Sequence, residues 1–251
     1  MSFKKIYFSV ITVTYQDEIG LKETLNSLSQ FDNSIFEHII IDGGSKYNIS
    51  KLLKEYSHRI DFWISEKDSG LYDAMNKGLK LVSNKDNIVS FLNSGDIALS
   101  NYFDEPKHNF LQNKHLDYSY GSVIIEGLKK QLLYKPKLVV KSSEILQRMP
   151  FPHPALFVKK QIFLDIGSFN LNKKITADHE WCVRLIKSGA IGNKFNNPVV
   201  RFKLGGASLK LRAQFEVFQT ALQYNRNIMV AIIFLFRQIM SHVYYLIRSK
   251  I

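Results

Sequence analysis

The chain has almost no cysteine: Cys182 is the only one among its 251 residues. A single thiol cannot form an internal disulfide or a metal site built from several cysteines, which fits a reducing compartment. We also expect no secretory leader, because Met1–Lys5 is followed by a strand-like run and not by an apolar core with a small-residue cleavage site. We therefore expect a cytoplasmic protein.

Long apolar runs are missing as well. Ile228–Phe236 contains nine consecutive apolar residues, whereas an α-helix needs about 20 to cross a bilayer. The sequence has no low-complexity segment and no internal repeat, and its 45% hydrophobic and 22% charged residues are typical of a globular protein. A chain of this length can form one large α/β domain with at most a small appendage.

Acidic residues are scarce in the second part of the chain. Residues 1–105 carry 11 Lys and Arg against 15 Asp and Glu, a net charge of −4, and the remainder carries 23 against 7, a net charge of +16. Such a surface could face a phosphorylated small molecule, a lipid phosphate, an anionic membrane or nucleic acid, or it could simply be solvated. Charge sign alone does not choose between them.

The end of the chain differs in composition from the rest. Asn225–Ile251 contains Arg and Lys but no acid, and most of its polar side chains gather on one side when it is drawn as a helix. Two interpretations stay open: an in-plane helix on the inner face of the plasma membrane, or a helix packed on the protein's own core. We predict a main domain over residues 1–210 and a helical extension over residues 211–251.

Strands and helices alternate in the first hundred residues. Apolar β-branched runs predict strands, and apolar residues spaced three or four apart predict helices between them. The strands are Phe8–Val13, His38–Ile41, Ile60–Ile64 and Ile88–Leu92, and the helices are Ile19–Ser29, Ile49–His58 and Leu71–Val82. This order predicts an α/β fold with a mostly parallel, Rossmann-like sheet flanked by helices, in which ligands bind beyond the carboxyl ends of the strands.

The first two strands end in residues suited to a nucleotide. Thr14 and Tyr15 follow the first strand, and Asp42, Gly43 and Ser45 follow the second. A carboxylate there can accept from the imide of uracil or from a base amine, and glycine permits a tight turn and the close approach of a ligand. Asp42 is equally well explained by an Asx turn.

The segment Ser65–Gly78 combines a loop with the start of a helix. Asp68 or Ser69 is expected to cap that helix, whose amino terminus favours anionic groups. Lys77 is placed to reach a phosphate, although it also fits the solvated face of the helix. Gly78 indicates close packing of the helix on the sheet.

The fourth strand ends in hard oxygen ligands. Asn93 and Asp96, in the sequence Asn-Ser-Gly-Asp, can hold Mg²⁺ or Mn²⁺ together with substrate phosphates. The same tetrapeptide is also an ordinary turn. Its position at a strand end favours the metal site.

The second part of the chain offers a general base and candidate lid residues. Asp178 and Glu180 lie in the first turn of a predicted helix over Asp178–Lys187, where Asp178 is either a general base or a helix cap. His153, between two prolines, is either structural or part of an acceptor-side lid, and Gly205 and Gly206 form a turn that could close over a donor.

Five segments in this order resemble the family 2 glycosyltransferases of the GT-A fold, especially bacterial members that build surface polysaccharides. The likeness runs from Phe8 to Ser208. Its most specific parts are Ser9–Tyr15, Ile41–Ser45, Ser65–Gly78, Phe91–Asp96 and Ala177–Leu185.

The resemblance implies a role for each motif. Thr14 and Tyr15 would border the nucleotide, Asp42 would contact its base, and Asp178 would be the catalytic base, with Glu180 as a fallback. Asn93 and Asp96 stand where the family has its metal-binding acidic motif. The chain departs from that motif because Asn93 and Gly95 replace carboxylates, and it has Gln16 and Ala177 where relatives have Asn and an acid.

The function that the resemblance implies is a single, inverting displacement. A hexose-type sugar would move from a nucleotide-diphosphate donor, with UDP expected, to a hydroxyl of a glycan or lipid-linked glycan, with Mn²⁺ or Mg²⁺ as cofactor. The alternative from another class is a catalytically silent module that binds a nucleotide or polyanion at a membrane. Nucleic acid is not an expected partner, because the basic charge comes without a recognised reading motif.

Overall fold

The computed structural model describes residues 7–46, 49–127, 131–137, 142–203, 211–224 and 232. The strands are β1 (Phe8–Thr14), β2 (Phe36–Asp42), β3 (Phe62–Ser65), β4 (Ile88–Phe91), β5 (Ile97–Ala98), β6 (Tyr118–Glu126), β7 (Gln131–Tyr134), β8 (Leu156–Lys159) and β9 (Gly192–Lys203). The helices are α1 (Glu18–Leu28), α2 (Ile49–Glu55), α3 (Leu71–Leu81), α4 (Asp104–Gln112), α5 (Ser142–Ile145), α6 (Lys160–Ile166), α7 (Ala177–Lys187) and α8 (Leu211–Tyr224). Short 3-10 turns cover Asn33–Ile35, Ser57–Arg59 and His153–Ala155.

The described strands form one sheet in the order β3-β2-β1-β4-β8-β6-β9-β5, with β7 paired to β6. The first four run parallel, as predicted. Only these four strands meet in full the expectation of a mostly parallel sheet. Beyond β4 the sheet is mixed: β6 and β9 run parallel to each other, whereas β8 is antiparallel to both of its neighbours, and β5 and β7 are antiparallel to β9 and β6 respectively. Parallel neighbours need a long crossover, and the regular helix crossovers end at β4.

The sheet separates two apolar layers. Every residue of β1 and β2 is buried, and alternate side chains of β1 point to opposite faces. Ile11 packs on one face with α3 and α7, and Phe8 packs on the other with Phe103 and Phe157. A strand covered on both faces needs the continuous apolar sequence that predicted it.

The predicted elements of the first hundred residues are confirmed to within two residues at most ends. The exception is the second helix, which ends at Glu55 and is followed by the 3-10 turn Ser57–Arg59. The close approach predicted at Gly78 is also confirmed: a Cβ there would lie 2.5 Å from Cγ2 of Ile11. Helix α3 therefore lies directly on β1 and β2, which places its amino terminus at the carboxyl end of the sheet.

Helix α8 packs against α7. Ala221 lies in a buried cluster with Val183, and the Tyr224 hydroxyl donates to Glu180 at 2.6 Å. The described part of the extension thus packs on the core, while the interfacial segment from Asn225 onward and the glycines Gly205 and Gly206 lie outside the described residues, apart from Ile232. None of the helices in the described ranges is long and apolar enough to cross a membrane.

Candidate active site

An open cleft of about 560 Å³ lies at the carboxyl ends of β1, β2 and β4. It is lined by four strand-end and loop segments, and its lining residues are Val13, Thr14, Tyr15, Asp17, Gly43, Lys67, Asp68, Gly70, Leu71, Asn93 and Ser94. Thr14, Tyr15, Gly43, Asp68 and Asn93 are among the residues predicted for the site. The structure therefore brings the first four motifs to one edge of the sheet, as parallel strands require.

Asp42 lies beneath the cleft and not in its wall. Its side chain is fully buried, and its carboxylate accepts from Ser45 N at 3.0 Å, Ser45 Oγ at 2.5 Å and Ser65 Oγ at 2.6 Å. The Ser45 hydroxyl in turn accepts from Gln16 N at 2.7 Å. The geometry is that of the turn-forming alternative, in which Asp42 fixes the loops after β1, β2 and β3 against one another.

Gly43 allows the loop after β3 to approach the loop after β2. A Cβ at position 43 would lie 2.5 Å from Oδ2 of Asp68 and 3.3 Å from the ring of Tyr15. The Tyr15 side chain is 62% exposed at the rim. Absence of a side chain at Gly43 thus brings Asp68 and Tyr15 together on the cleft wall.

The cap of α3 differs from the prediction. Gly70 occupies the cap position with a φ of 127°, and Asp68 accepts from Gly70 N at 2.9 Å without capping the helix itself. The Ser69 N–H donates to Asp73 at 2.9 Å. A left-handed backbone at Gly70 turns the chain into the helix, which leaves the helix amino terminus open to the cleft.

Two lysines lie near this loop, and the one in the cleft was not predicted. The Lys77 ammonium lies 2.7 Å from Glu66 and 3.9 Å from Asp73, and Glu66 holds the pKa of Lys77 above its usual value. Lys77 is absent from the cleft wall, whereas Lys67 is part of it. Loop residues have no periodicity that would single out Lys67 from sequence.

The loop after β4 is fixed by α1. Thr24 Oγ1 donates to the carbonyls of Asp96 and Asn93, and Gly95 N donates to Thr24 Oγ1 at 3.0 Å. Asp96 accepts from Asn93 N at 3.0 Å, and burial raises the pKa of Asp96 to about 7, against the pull of that N–H. Among the described residues, the Asn93 Oδ1 atom is buried without a hydrogen-bond partner.

Asp17 is a cleft residue that the sequence did not single out. Its Oδ1 accepts from Gly20 N at 3.0 Å, which caps α1, and its Oδ2 accepts from Ser94 Oγ at 2.8 Å. A Cβ at Gly95 would lie 3.8 Å from Asp17 Oδ2. Gly95 has no side chain, and the Asp17 carboxylate lies next to the place where a side chain at position 95 would begin. The signal available in the sequence was an acid next to Gln16.

The oxygen donors at this end of the cleft fit a hard divalent cation. Carboxylate and amide oxygens from Asp17, Asp96 and Asn93 are the ligand types that Mg²⁺ and Mn²⁺ prefer. Asp17 and Asn93 line the cleft, whereas Asp96, three residues after Asn93, is absent from its wall. The Asn93 Oδ1 atom lacks any other partner among the described residues. No three His, Cys, Asp or Glu side chains of the described ranges cluster as a complete metal site. A cation here would therefore need ligands from water or phosphate as well.

Asp178 is tied to the helix that borders the cleft. The Tyr72 hydroxyl lies 2.8 Å from Asp178 Oδ1 and 2.7 Å from the Ile175 carbonyl, and Tyr72 directly follows the cleft residue Leu71. Burial, with the nearby Asp178 charge, raises the pKa of Tyr72 well above its usual value, so the hydroxyl is a donor at neutral pH. His179 N donates to the same Oδ1 at 2.8 Å. The described residues leave Oδ2 without a hydrogen bond.

Glu180 and His153 point to structural roles. Glu180 is buried and accepts from Arg184 Nε at 3.1 Å, four residues further along the same helix, and from the Tyr224 hydroxyl at 2.6 Å. The His153 ring stacks on Phe91 with centroids 5.2 Å apart, and burial lowers the pKa of His153. Neither residue lines the cleft.

Comparison with known proteins assigns the family. The family model described as glycosyl transferase family 2 matches residues 9–179. An uncharacterized glycosyltransferase of Mycobacterium tuberculosis is 30% identical over 180 residues, which is 70% of this chain and 67% of that protein. A PGL/p-HBAD biosynthesis glycosyltransferase of the same species is 23% identical over 197 residues, 77% of this chain and 75% of that protein.

Solved structures share the fold. Residues 1–349 of Staphylococcus aureus TarS, in complex with UDP-GlcNAc, superpose with a TM-score of 0.64 at 16% identity, covering 92% of this chain and 70% of that one. The Pyrobaculum calidifontis mannosyltransferase PcManGT, in complex with GDP-Man and Mn²⁺, gives 0.68 at 13% identity with the same coverage. The chain spans 41% of a longer TarS chain. These matches confirm the GT-A fold, and the protein belongs to glycosyl transferase family 2.

Proposed function

We propose that the chain transfers a hexose-type sugar from a nucleotide-diphosphate donor, UDP being favoured, to a hydroxyl group with inversion at the anomeric carbon. One observation carries the proposal: the cleft wall and the carboxylate of Asp178 are joined through consecutive residues of α3, because Leu71 lines the cleft and Tyr72 binds Asp178. In this proposal the donor and the base meet at the amino terminus of α3.

In this proposal the nucleotide lies along the carboxyl ends of β1 and β2. Tyr15 and Thr14 border it, Asp68 faces it across Gly43, and Lys67 neutralises phosphate charge. Asp42 and Ser45 bond to each other and order the loop that faces the base, so their effect on the base is indirect. Lys77 pairs with Glu66 and so holds the loop after β3 beside the phosphates. The open amino terminus of α3 adds N–H groups suited to an anion.

Asp96 and Asn93 would hold Mn²⁺ or Mg²⁺, with Asp17 supplying the carboxylate that Gly95 lacks. When bound, such a cation supplies positive charge that neutralises the departing diphosphate. TarS and PcManGT, in complex with UDP-GlcNAc and with GDP-Man and Mn²⁺ respectively, support this choice of donor and cofactor.

Asp178 acts as the general base in this mechanism. Its free Oδ2 accepts the proton of the acceptor hydroxyl, while Tyr72 and the His179 N–H keep Oδ1 in place. One displacement inverts the anomeric centre. We prefer Asp178 over Glu180 because Arg184 and Tyr224 already occupy the Glu180 carboxylate.

The acceptor in this proposal is a glycan or lipid-linked glycan of bacterial polysaccharide synthesis, met at the inner face of the membrane. The net charge of +16 after residue 105 suits an anionic surface. A pelleting assay with vesicles of anionic lipid, compared with neutral vesicles, measures that preference.

The donor is identified by a thermal-shift screen of nucleotide sugars with and without Mn²⁺. A ligand that binds only the native state raises the melting temperature by mass action, so the true donor gives the largest shift, and that shift needs the cation. A chain that responds to nucleotides but neither transfers nor hydrolyses any donor would instead be the silent binding module.

Replacement of Asp178 by Asn tests the base. Asp178→Asn keeps the shape and one acceptor oxygen but removes the proton acceptor, so we expect transfer to fall by at least ~100-fold, the range of general-base catalysis. The donor-induced shift should stay unchanged. Glu180→Gln, on the same helix, is the matched comparison. If Asp178→Asn still transfers sugar at the parent rate, Asp178 is not the base.

A further inference from the structure

Glu216 of α8 binds the loop that leads into α7. Its carboxylate accepts from three consecutive backbone N–H groups: Lys174 N at 3.1 Å on Oε1, and Ile175 N at 2.9 Å and Thr176 N at 3.0 Å on Oε2. The residue is 3% exposed. Three consecutive N–H groups of this loop thus find their acceptors, the two oxygens of one carboxylate, 40 to 42 residues further along the chain.

The same loop is fastened a second time from α8. The Lys173 ammonium, also buried, donates to the Glu216 carbonyl and to Gln219 Oε1, each at 3.1 Å. Burial is the main factor acting on Glu216 and raises its pKa, but the N–H groups of Ile175, Lys174 and Thr176, with Arg212, bring the pKa of Glu216 below its usual value. The carboxylate is therefore ionised, and charge-assisted bonds to backbone N–H groups are stronger than neutral ones.

The fastened loop carries Asp178. Thr176 is the cap residue of α7 and Asp178 is the second residue of that helix. Ile175 is held from both sides, by Glu216 at its N–H and by the Tyr72 hydroxyl at its carbonyl. The position of the Asp178 carboxylate is thus set by Tyr72 from the donor side and by Glu216 from the opposite side.

We propose that Glu216 is a positioning residue for the transfer reaction: α8 holds the Lys174–Thr176 loop so that Asp178 stays aligned with the acceptor hydroxyl. This inference rests on the proposed function of Asp178. Glu216 touches neither donor nor acceptor. It acts on the step in which the proton leaves the acceptor, and donor binding at the carboxyl ends of β1 and β2 is independent of it.

The test compares Glu216→Gln with Glu37→Gln. Glu37, near the amino-terminal end of β2, is also 3% exposed and accepts from a backbone N–H, that of Ser83 at 3.0 Å, and from Ser9 Oγ at 2.6 Å. Both variants lose a buried carboxylate that accepts from the backbone, and both should lower the melting temperature. Kinetics are measured on the folded protein at a temperature below both transitions.

We expect kcat to fall at least tenfold in Glu216→Gln, while the donor KM and the nucleotide-induced thermal shift stay within threefold of the parent. Glu37→Gln should keep its kcat. Glu216→Asp, which retains charge but shortens the reach, should fall between. Equal kcat losses in Glu216→Gln and Glu37→Gln, or a loss confined to donor KM, would overturn the inference.

Failure of the proposed function gives a different result. If the parent chain transfers no sugar, or if Asp178→Asn is active, the proposed function fails before Glu216 is considered. If the parent is active, Asp178→Asn is inactive and Glu216→Gln keeps full kcat, only the positioning role is wrong. A variant too unstable to assay is replaced by Thr176→Val, which removes one donor to Glu216 at 3.3 Å and should lower kcat in the same direction.

Discussion

At the scale of single residues, Asp17 combines two roles that can be separated. It caps α1 through Gly20 N and holds Ser94 at the cleft wall. Asn caps helices about as well as Asp, so the first role survives a change to Asn, whereas the charge that a cation needs does not.

We predict that Asp17→Asn weakens Mn²⁺ binding in the presence of UDP by roughly tenfold, the lower end of effects seen when a supporting residue of a metal site is lost. Titration followed by electron paramagnetic resonance of free Mn²⁺ measures this directly. Glu18→Gln, an exposed carboxylate one residue away, is the control. Equal affinity in the two variants would remove Asp17 from the cation site.

Asp17 also shows what the sequence could not supply. The motifs at Asp42, Asn93 and Asp178 were recognisable because each follows or opens a periodic segment, and the sheet brought the strand-end motifs together as expected. Asp17, Tyr72 and Glu216 were missed, because their importance lies in contacts across 77, 106 and 41 residues. Local spacing carries no signal for such contacts.

At the scale of elements, the approach of α3 to β1 decides where the helix amino terminus lies. Gly78 is the point of closest approach, since an added Cβ would lie 2.5 Å from Ile11 Cγ2 and 3.4 Å from Ile41 Cγ1. The strand cannot yield easily because both faces of β1 are packed.

We expect Gly78→Ala to lower the free energy of unfolding by about 1–2 kcal/mol. Overpacking costs about 1–3 kcal/mol, and a Cβ only 2.5 Å from Ile11 Cγ2 corresponds to the upper part of that range, about 2–3 kcal/mol. The better helix propensity of Ala offsets close to 1 kcal/mol of it. Urea unfolding gives the value. Lys80→Ala, on the exposed side of the same helix, should change stability by less than about 0.5 kcal/mol. A Gly78→Ala chain as stable as the parent would mean that α3 can move off the sheet.

The direction of the later strands shows the limit of pattern reading at this scale. The apolar runs of parallel and antiparallel strands look alike in sequence, and the antiparallel pairing of β6 with β7 and β8 was not predicted. Direction is set by the connections, and after β4 these no longer repeat one strand–helix–strand pattern, so that β6 is antiparallel to β8 but parallel to β9. The directions of β5 to β9 could therefore be learned only from the structure.

At the scale of the whole molecule, acid should destabilise the fold through buried histidines. His38 lies in the interior of β2, with Nε2 2.9 Å from Thr12 Oγ1, and burial lowers the pKa of His38 to about 3. Between that value and the ordinary pKa of about 6.5, the unfolded chain binds a proton that the folded chain does not. The contribution of neutral His38 to the free energy of unfolding is therefore complete above about pH 6.5, and it decreases as the pH falls toward 3.

We predict that His38→Gln reduces the slope of unfolding free energy against pH by about 1 kcal/mol per pH unit between pH 6 and 5, which is close to one proton. Urea unfolding at several pH values provides the slope. His58→Gln, at an exposed position, should leave it unchanged. Part of the slope should remain in His38→Gln, because burial lowers the pKa of His153 and of His179 as well. Parallel slopes in the two variants would assign the acid sensitivity elsewhere.

The bonds from α8 to the Lys174–Thr176 loop bear on how shortened versions of the chain should be made. Truncation at residue 210, the boundary that composition suggests, would discard Glu216 and leave three N–H groups without their acceptor. Libraries or crystallisation variants trimmed there would carry a loosened catalytic loop even if the sheet still assembled. A chain shortened from the carboxyl end should therefore keep all residues up to and including Tyr224, whose hydroxyl donates to Glu180.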